Sequence, residues 1–86
     1  MIDAERRLVS AKYVLSMLER LSADSAWAHQ ASGLRGSILH AVDRLESDLD
    51  PEKHFAELER LERLVDEGYA ILKLAALEIP EDPGRR

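Results

Sequence analysis

Apolar residues recur at alternating three- and four-residue steps along most of this chain, and this spacing constrains its fold more than any other feature. Such spacing places the apolar side chains on one face of an α-helix. Three stripes of this kind are present: Leu8, Ala11, Leu15 and Leu18; then Trp27, Ala31, Leu34, Ile38, Ala41 or Val42, Leu45 and Leu49; then Leu58, Leu61, Val65, Leu72, Ala75 and Ile79. Glycine and proline, which disfavour helices, number only 4 and 3. Aromatic residues, which favour strands, make up only 5% of the chain. The sequence predicts an all-α protein of three amphipathic helices.

The boundary between the second and third helices is marked by Pro51. A proline disfavours helical geometry at the residue before it, so the second helix should end ahead of Asp50. Asp50 can then cap the third helix, with Pro51 at the first helical position and Glu52 at the positive end of the helix dipole. Because the connection is short, we expect the two helices to be antiparallel neighbours.

The boundary between the first and second helices rests on a change of phase. The second stripe is displaced by two residues from the first, which is a rotation of roughly 200° about the helix axis. Ser22 and Asp24 are both favourable N-cap residues. A turn at residues 22–24 is therefore favoured, with one long continuous helix as the alternative.

These boundaries predict one domain over residues 1–79, with helices at about 2–21, 24–49 and 51–79 in an up-down-up bundle. The last residues, 80–86, contain two prolines and a glycine and are predicted to be a disordered tail.

The charge and composition exclude several classes of partner. The formal net charge is −5, with the acidic residues concentrated between residues 46 and 67, so phosphate backbones are repelled and nucleic acid is not an expected partner. The sequence has no apolar run long enough to span a bilayer, no secretory signal segment and no cysteine. We therefore expect an acidic cytoplasmic protein without a membrane partner.

The third helix changes character after Gly68. Residues 69–77 are apolar on nearly every side, and helices of that kind are usually buried on every side. Leu74 and Leu77 point away from the main stripe, where a three-helix monomer offers little cover. This excess of apolar surface predicts that the bundle is completed by self-association, most simply as a symmetric homodimer.

The second helix carries small residues on the face opposite its apolar stripe. Glycine in a helix interior costs about 1 kcal/mol relative to alanine, but it allows another backbone to come close. Two glycines on one outer face indicate a contact with a partner, with an ordinary solvated face as the alternative. Together with the end of the third helix, this face defines the candidate interaction surface: His29, Gly33, Gly36, His40, Leu74 and Leu77.

The run over residues 28–33 places His29 four positions before Gly33 on a helix. This arrangement resembles the site of histidine-phosphotransfer domains, in which a helix-borne histidine carries a phosphoryl group. Ser32 stands where those domains usually have a lysine. The resemblance implies a signalling role for His29, with the phosphoryl group supplied by another protein.

Arg35 and His40 have the spacing found in HEPN-type helical ribonucleases. That resemblance implies His40 as the acid–base group and Arg35 as the cation that stabilises a pentavalent phosphate. Both histidine-based functions stay as alternatives to a binding role.

Other signatures of chemistry are absent from the sequence. It contains no Gly-x-Ser-x-Gly, phosphate loop or dinucleotide fingerprint. Glu59, Glu62 and Asp66 lie one turn apart, but no histidine follows a glutamate by three positions, as helical di-metal sites require. The leading hypothesis is thus a non-enzymatic interaction or regulatory module without a metal or cofactor, acting as a homo-oligomer or on another protein.

Overall fold

The computed structural model describes residues 3–47 and 49–78, and in those residues it contains three α-helices and no strand. The helices are α1 (Asp3–Glu19), α2 (Ala28–Leu45) and α3 (Pro51–Ala76), and they pack against one another. The prediction of an all-α protein with three helices is confirmed. The predicted tail at 80–86 and the predicted helix ends at residues 2 and 79 lie outside the described residues.

Residues 20–27 form turns that separate α1 from α2, so the two are not one continuous helix. The second helix begins at Ala28, four residues after its predicted start, and Trp27 is its N-cap without a side-chain hydrogen bond. Ser22 Oγ instead accepts the backbone N–H of Asp24 (3.1 Å), and Ser25 Oγ accepts that of Trp27 (3.1 Å). Such local bonds stabilise turns in competition with a helix, which is why the predicted cap at Ser22 or Asp24 was wrong.

The start of α3 follows local sequence closely. Asp50 is extended (φ −71°, ψ 163°), and its carboxylate accepts the backbone N–H of Lys53 at 2.9 Å. Pro51 occupies the first turn, where its missing N–H is not needed. The predicted cap at Asp50 is confirmed.

Contacts between the helices fix their directions. Arg7 lies beside Glu62, and the backbone at Gly68 lies beside Val14, so α1 and α3 run in the same direction. Arg44 contacts Glu57, whereas Ser25, at the other end of α2, contacts Glu78. Helix α2 is therefore antiparallel to α3, which gives the up-down-up order.

All three stripes contribute to one hydrophobic core. The buried apolar residues are Ala11, Val14, Leu15, Leu18, Ala31, Leu34, Ile38, Ala41, Val42, Leu45, Leu61 and Val65. Trp27, expected as a core anchor, is only half-buried. No helix in the described part of the chain is both long and apolar enough to cross a membrane.

Two buried residues were not expected from the apolar pattern, Glu57 and Gly68. A Cβ atom at Gly68 would lie 2.5 Å from Cγ1 of Val14, which is itself fully buried. At Gly68 the backbone of α3 comes close to the Val14 side chain of α1, and the core depends on the lack of a side chain at this residue.

Candidate interaction surface

The glycine face of α2, which consists of His29, Gly33, Gly36 and His40, lies opposite the buried stripe of that helix. All four residues are exposed, and a Cβ atom at either glycine would meet no heavy atom within 4 Å beyond the adjacent residues and the backbone of its own helix. In the described part of the chain, no neighbouring element packs closely on the two glycines. The two histidines are about 16 Å apart along the helix and do not form one site.

The apolar end of α3, residues 69–77, is covered on one side only. Ile71 and Leu72 pack against the core, whereas Leu74 is 42% exposed and Leu77 is 70% exposed. Tyr69 is exposed as well. Burial of this segment on every side, as its composition predicts, is therefore not achieved within a single chain.

The structure does not join these two regions into one patch, because each lies on the outer face of a different helix. A shallow groove of about 500 Å³ lies between α2 and α3. The lining residues are Gln30, Leu34, Ser37, Leu64, Glu67, Ala70 and Ile71.

The side of the bundle formed by α1 and α3 was not singled out by the sequence. Two further grooves follow the line between these helices. One of about 380 Å³ is lined by Arg6, Arg7, Ser10, Leu61, Glu62, Val65, Asp66 and Tyr69. The other, of about 260 Å³, is lined by Met17, Arg20, Leu21, Leu72, Ala75 and Ala76. Val9 and Tyr13 are exposed on α1, and their four-residue spacing off the apolar stripe is the signal that could have identified this side.

The two histidine-based alternatives differ in how the structure places the residues that they require. His29 and Ser32 are both exposed at the start of α2, where a partner could reach them. Arg35 and His40 are five residues apart, which separates them by about 140° around the helix axis. Arg35 is half-buried and His40 is exposed, so within one chain the two side chains do not converge on a common substrate.

The acidic residues of α3 are partly used in ion pairs. Glu62 lies 3.5 Å from a guanidinium nitrogen of Arg7. Among residues 3–47 and 49–78, no group of three or more histidine, aspartate or glutamate side chains is placed to hold a metal ion.

No protein-family model matches this sequence, and no curated protein or solved structure matches the chain.

Glu57 is the one buried charged residue in the described part of the chain, at 8% exposure. Its carboxylate accepts hydrogen bonds from Arg44 Nε (3.1 Å) and from Arg60 (2.9 Å). Burial by itself raises the pKa of Glu57, but the hydrogen bonds and positive charges of Arg60 and Arg44 outweigh it, so that the pKa lies below the ordinary value of 4.5. This charged group ties α2 to α3 at the end of the bundle where the two helices are joined.

At the opposite end of the bundle, the Glu78 carboxylate links the residues that follow α3 to the turn that precedes α2. Its carboxylate accepts the Ser25 hydroxyl and the backbone N–H of Ala26, both at 2.8 Å. Helix α2 has no acidic residue in its first turn and no side-chain cap of its own. Glu78 lies just beyond the end of α3, and its carboxylate stabilises the turn that precedes α2, where the positive end of the helix dipole favours negative charge.

We expect Glu78→Ala to lower the free energy of unfolding by about 1 kcal/mol, the usual net contribution of a hydrogen bond within a protein. The same variant should increase hydrogen exchange at the Ala26 amide and change the fluorescence of Trp27, the single tryptophan of the chain. Glu59→Ala, at an exposed position of α3, is the control and should do neither. Unchanged hydrogen exchange at the Ala26 amide in the Glu78 variant would show that the contact with Glu78 does not order the turn.

Proposed function

We propose that this chain is a non-enzymatic interaction or regulatory module that self-associates as a dimer. The observation that carries the proposal is the apolar end of α3, where Leu74 and Leu77 are exposed in a segment that is apolar on nearly every side. Burial of apolar surface yields roughly 25 cal/mol per Å², so a second molecule that covered these side chains would stabilise both. A symmetric pair does this with one surface on each copy.

The composition of the chain supports a protein partner and a cytoplasmic location for this module. A net charge of −5 disfavours nucleic acid as its partner, and a cysteine-free chain is typical of a cytoplasmic protein rather than a disulfide-stapled one. The proposal needs neither a metal nor a cofactor. The glycine face of α2 offers a second surface on which another protein could pack closely.

Sedimentation across a range of concentrations tests the proposal. We expect a dimer whose population rises with concentration, and we expect Leu74→Glu with Leu77→Glu to raise its dissociation constant at least tenfold, because a charge would be buried on association. Leu39→Glu, which changes an exposed leucine of α2, is the matched control. A clean monomer at every concentration would contradict self-association.

The two histidine-based alternatives predict instead that function depends on the histidine side chains. A phosphotransfer module needs His29, and a ribonuclease of the HEPN type needs Arg35 and His40, whereas a binding module tolerates His29→Ala and His40→Ala. Retained dimerisation in both histidine variants, together with its loss in the leucine variant, supports binding. No contact in the described part of the chain favours either alternative.

A further inference from the structure

We infer that the groove between the ends of α1 and α3, hereafter the end groove, is a docking site for an amphipathic helix of another protein whose apolar stripe is flanked by acidic residues. The end groove has a volume of about 260 Å³, and its lining residues are Met17, Arg20, Leu21, Leu72, Ala75 and Ala76. The inference adds a partner to the proposed module and does not depend on whether the module dimerises.

The lining of the end groove distinguishes it from the two grooves described above. The groove between α2 and α3 contains glutamine, serine and glutamate side chains. The groove beside the start of α1 contains the ion pair between Arg7 and Glu62. Five of the six residues that line the end groove are apolar, and the sixth is Arg20. Two of the five are the short side chains of Ala75 and Ala76, which leave room for an apolar side chain of an occupant.

Two exposed tyrosines extend the apolar surface beyond the end groove. Tyr13 lies one turn before Met17 on α1, and Tyr69 lies one turn before Leu72 on α3. The two tyrosines are 57% and 44% exposed. The stretch from Tyr13 to Arg20 spans about 10 Å at a rise of 1.5 Å per residue, which is two helical turns. A helix with apolar side chains at positions i, i+3, i+4 and i+7 matches this length.

The shape of the end groove favours a helix over a small molecule. Pockets that enclose small ligands usually have volumes of about 300–1,000 Å³. The end groove is smaller, and both Arg20 and Ala76 on its two walls are exposed. A shallow channel between two adjacent helices is the kind of surface on which the side chains of a third helix pack.

Two cationic side chains stand on opposite rims of the end groove. Helices α1 and α3 run in the same direction and lie against each other at Val14 and Gly68. Arg20 is six residues beyond this contact on α1 and Lys73 is five residues beyond it on α3, so they lie within about 2 Å of the same level. Both are exposed, and neither forms an ion pair in the described part of the chain. Acidic residues on both sides of the occupant's apolar stripe would complement both charges.

The acidic residues nearest to the ends of α1 and α3 do not face this groove. Glu19 is two positions from Met17, which places it on the opposite side of α1. The Glu78 carboxylate is bound to Ser25 and Ala26 on the side of α2. The charge of the groove is therefore positive, although the whole chain is acidic.

A second copy of this chain does not offer a helix of the required kind. The acidic stretch of α3 has its apolar stripe buried in its own core, where Leu61 and Val65 lie. The apolar end of α3, residues 69–77, is exposed but contains Lys73 and no acidic residue. It would place a further positive charge against Arg20. The charges therefore assign the groove to another protein.

Two synthetic helical peptides test this assignment by fluorescence anisotropy with the full chain. Both have leucine at positions i, i+3, i+4 and i+7, and the flanking positions are glutamate in one peptide and lysine in the other. Because the net charge of the chain is −5, its overall field favours the lysine peptide. We expect the glutamate peptide to bind with a dissociation constant at least tenfold lower. Equal or tighter binding of the lysine peptide, or no saturable binding of the glutamate peptide, overturns the inference.

A substitution that fills the end groove locates the binding site. Ala76→Leu should weaken binding of the glutamate peptide at least tenfold. Ala70→Leu makes the same change at an exposed position of α3 outside the end groove, and it is the matched control. Circular dichroism verifies that both variants remain helical. Equal peptide affinity in the two variants overturns the site, and loss of self-association in Ala76→Leu would assign the groove to a second copy instead.

Reversal of the two rim charges tests the specificity. Arg20→Glu with Lys73→Glu should reverse the preference, so that the lysine peptide binds more tightly than the glutamate peptide. Lys53→Glu with Arg63→Glu changes the net charge by the same amount at exposed positions of α3 away from the groove, and it should keep the preference for the glutamate peptide. Reversal in both double variants would show that the overall charge decides, and it would overturn the inference.

Discussion

Gly68→Ala is expected to lower the free energy of unfolding by about 1–3 kcal/mol, even though alanine is the better helix former. The added Cβ would lie 2.5 Å from Cγ1 of Val14, and Val14 has no exposed surface into which it could move. The α1–α3 contact must open to admit the methyl group. Urea unfolding at one fixed protein concentration measures the change, because the proposed dimerisation would make stability depend on concentration.

The same substitution on α2 provides the control. Gly33→Ala and Gly36→Ala add a methyl group where no atom lies within 4 Å, so each should raise the free energy of unfolding by roughly 0.5–1 kcal/mol through helix propensity. The opposite signs distinguish packing from propensity. Stabilisation by Gly68→Ala equal to that at Gly33 would mean that α1 and α3 are not in close contact at this level.

Glu57→Gln is expected to lower the free energy of unfolding by about 1–3 kcal/mol, since two hydrogen bonds to a charged acceptor are weakened in a buried position. Arg44 and Arg60 lose their shared counter-charge, and the link between α2 and α3 becomes weaker. Glu59→Gln, at an exposed site of the same helix, is the control and should change stability by less than about 0.5 kcal/mol.

The pH dependence of stability reports the same group. Because Arg60 and Arg44 hold the pKa of Glu57 below its ordinary value of 4.5, the native chain binds fewer protons at this site than the unfolded chain does. The stabilisation is fully present above that ordinary value and is lost as the pH falls through the lowered pKa. Glu57→Gln should remove this part of the acid-induced loss. Identical pH profiles for the two proteins would contradict it.

The elements that could be predicted from sequence are those decided by neighbouring residues. The 3.6-residue period identified all three helices and nearly all of the core, since amphipathicity is set along one helix at a time. The start of α3 was correct to the residue, because Asp50 and Pro51 act on backbone groups next to them. The predicted start of α2 was wrong, because the residues before Ala28 form turns that are held by Ser22, by Ser25 and by Glu78, which is distant in sequence.

The candidate surface shows the same division. The composition of residues 69–77 identified Leu74 and Leu77 as side chains that a single chain would leave uncovered, and both are exposed. The exposed apolar side chains of α1 could not be predicted in this way. Val9 and Tyr13 lie next to core residues in sequence, and only the packing of α1 against the other two helices leaves them exposed.

By itself, the sequence determined the number of helices, their apolar faces and the position of one turn at Pro51, because each depends on contacts within a few residues. Only the tertiary structure decided why residue 68 is glycine, why Glu57 tolerates burial and where α2 begins. In each case the decisive atom lies elsewhere in the fold: on Val14 for Gly68, on Arg44 for Glu57 and on Glu78 for the turn before α2. A steric or charged contact of that kind acts through space, and the spacing of residues along one helix carries no record of it.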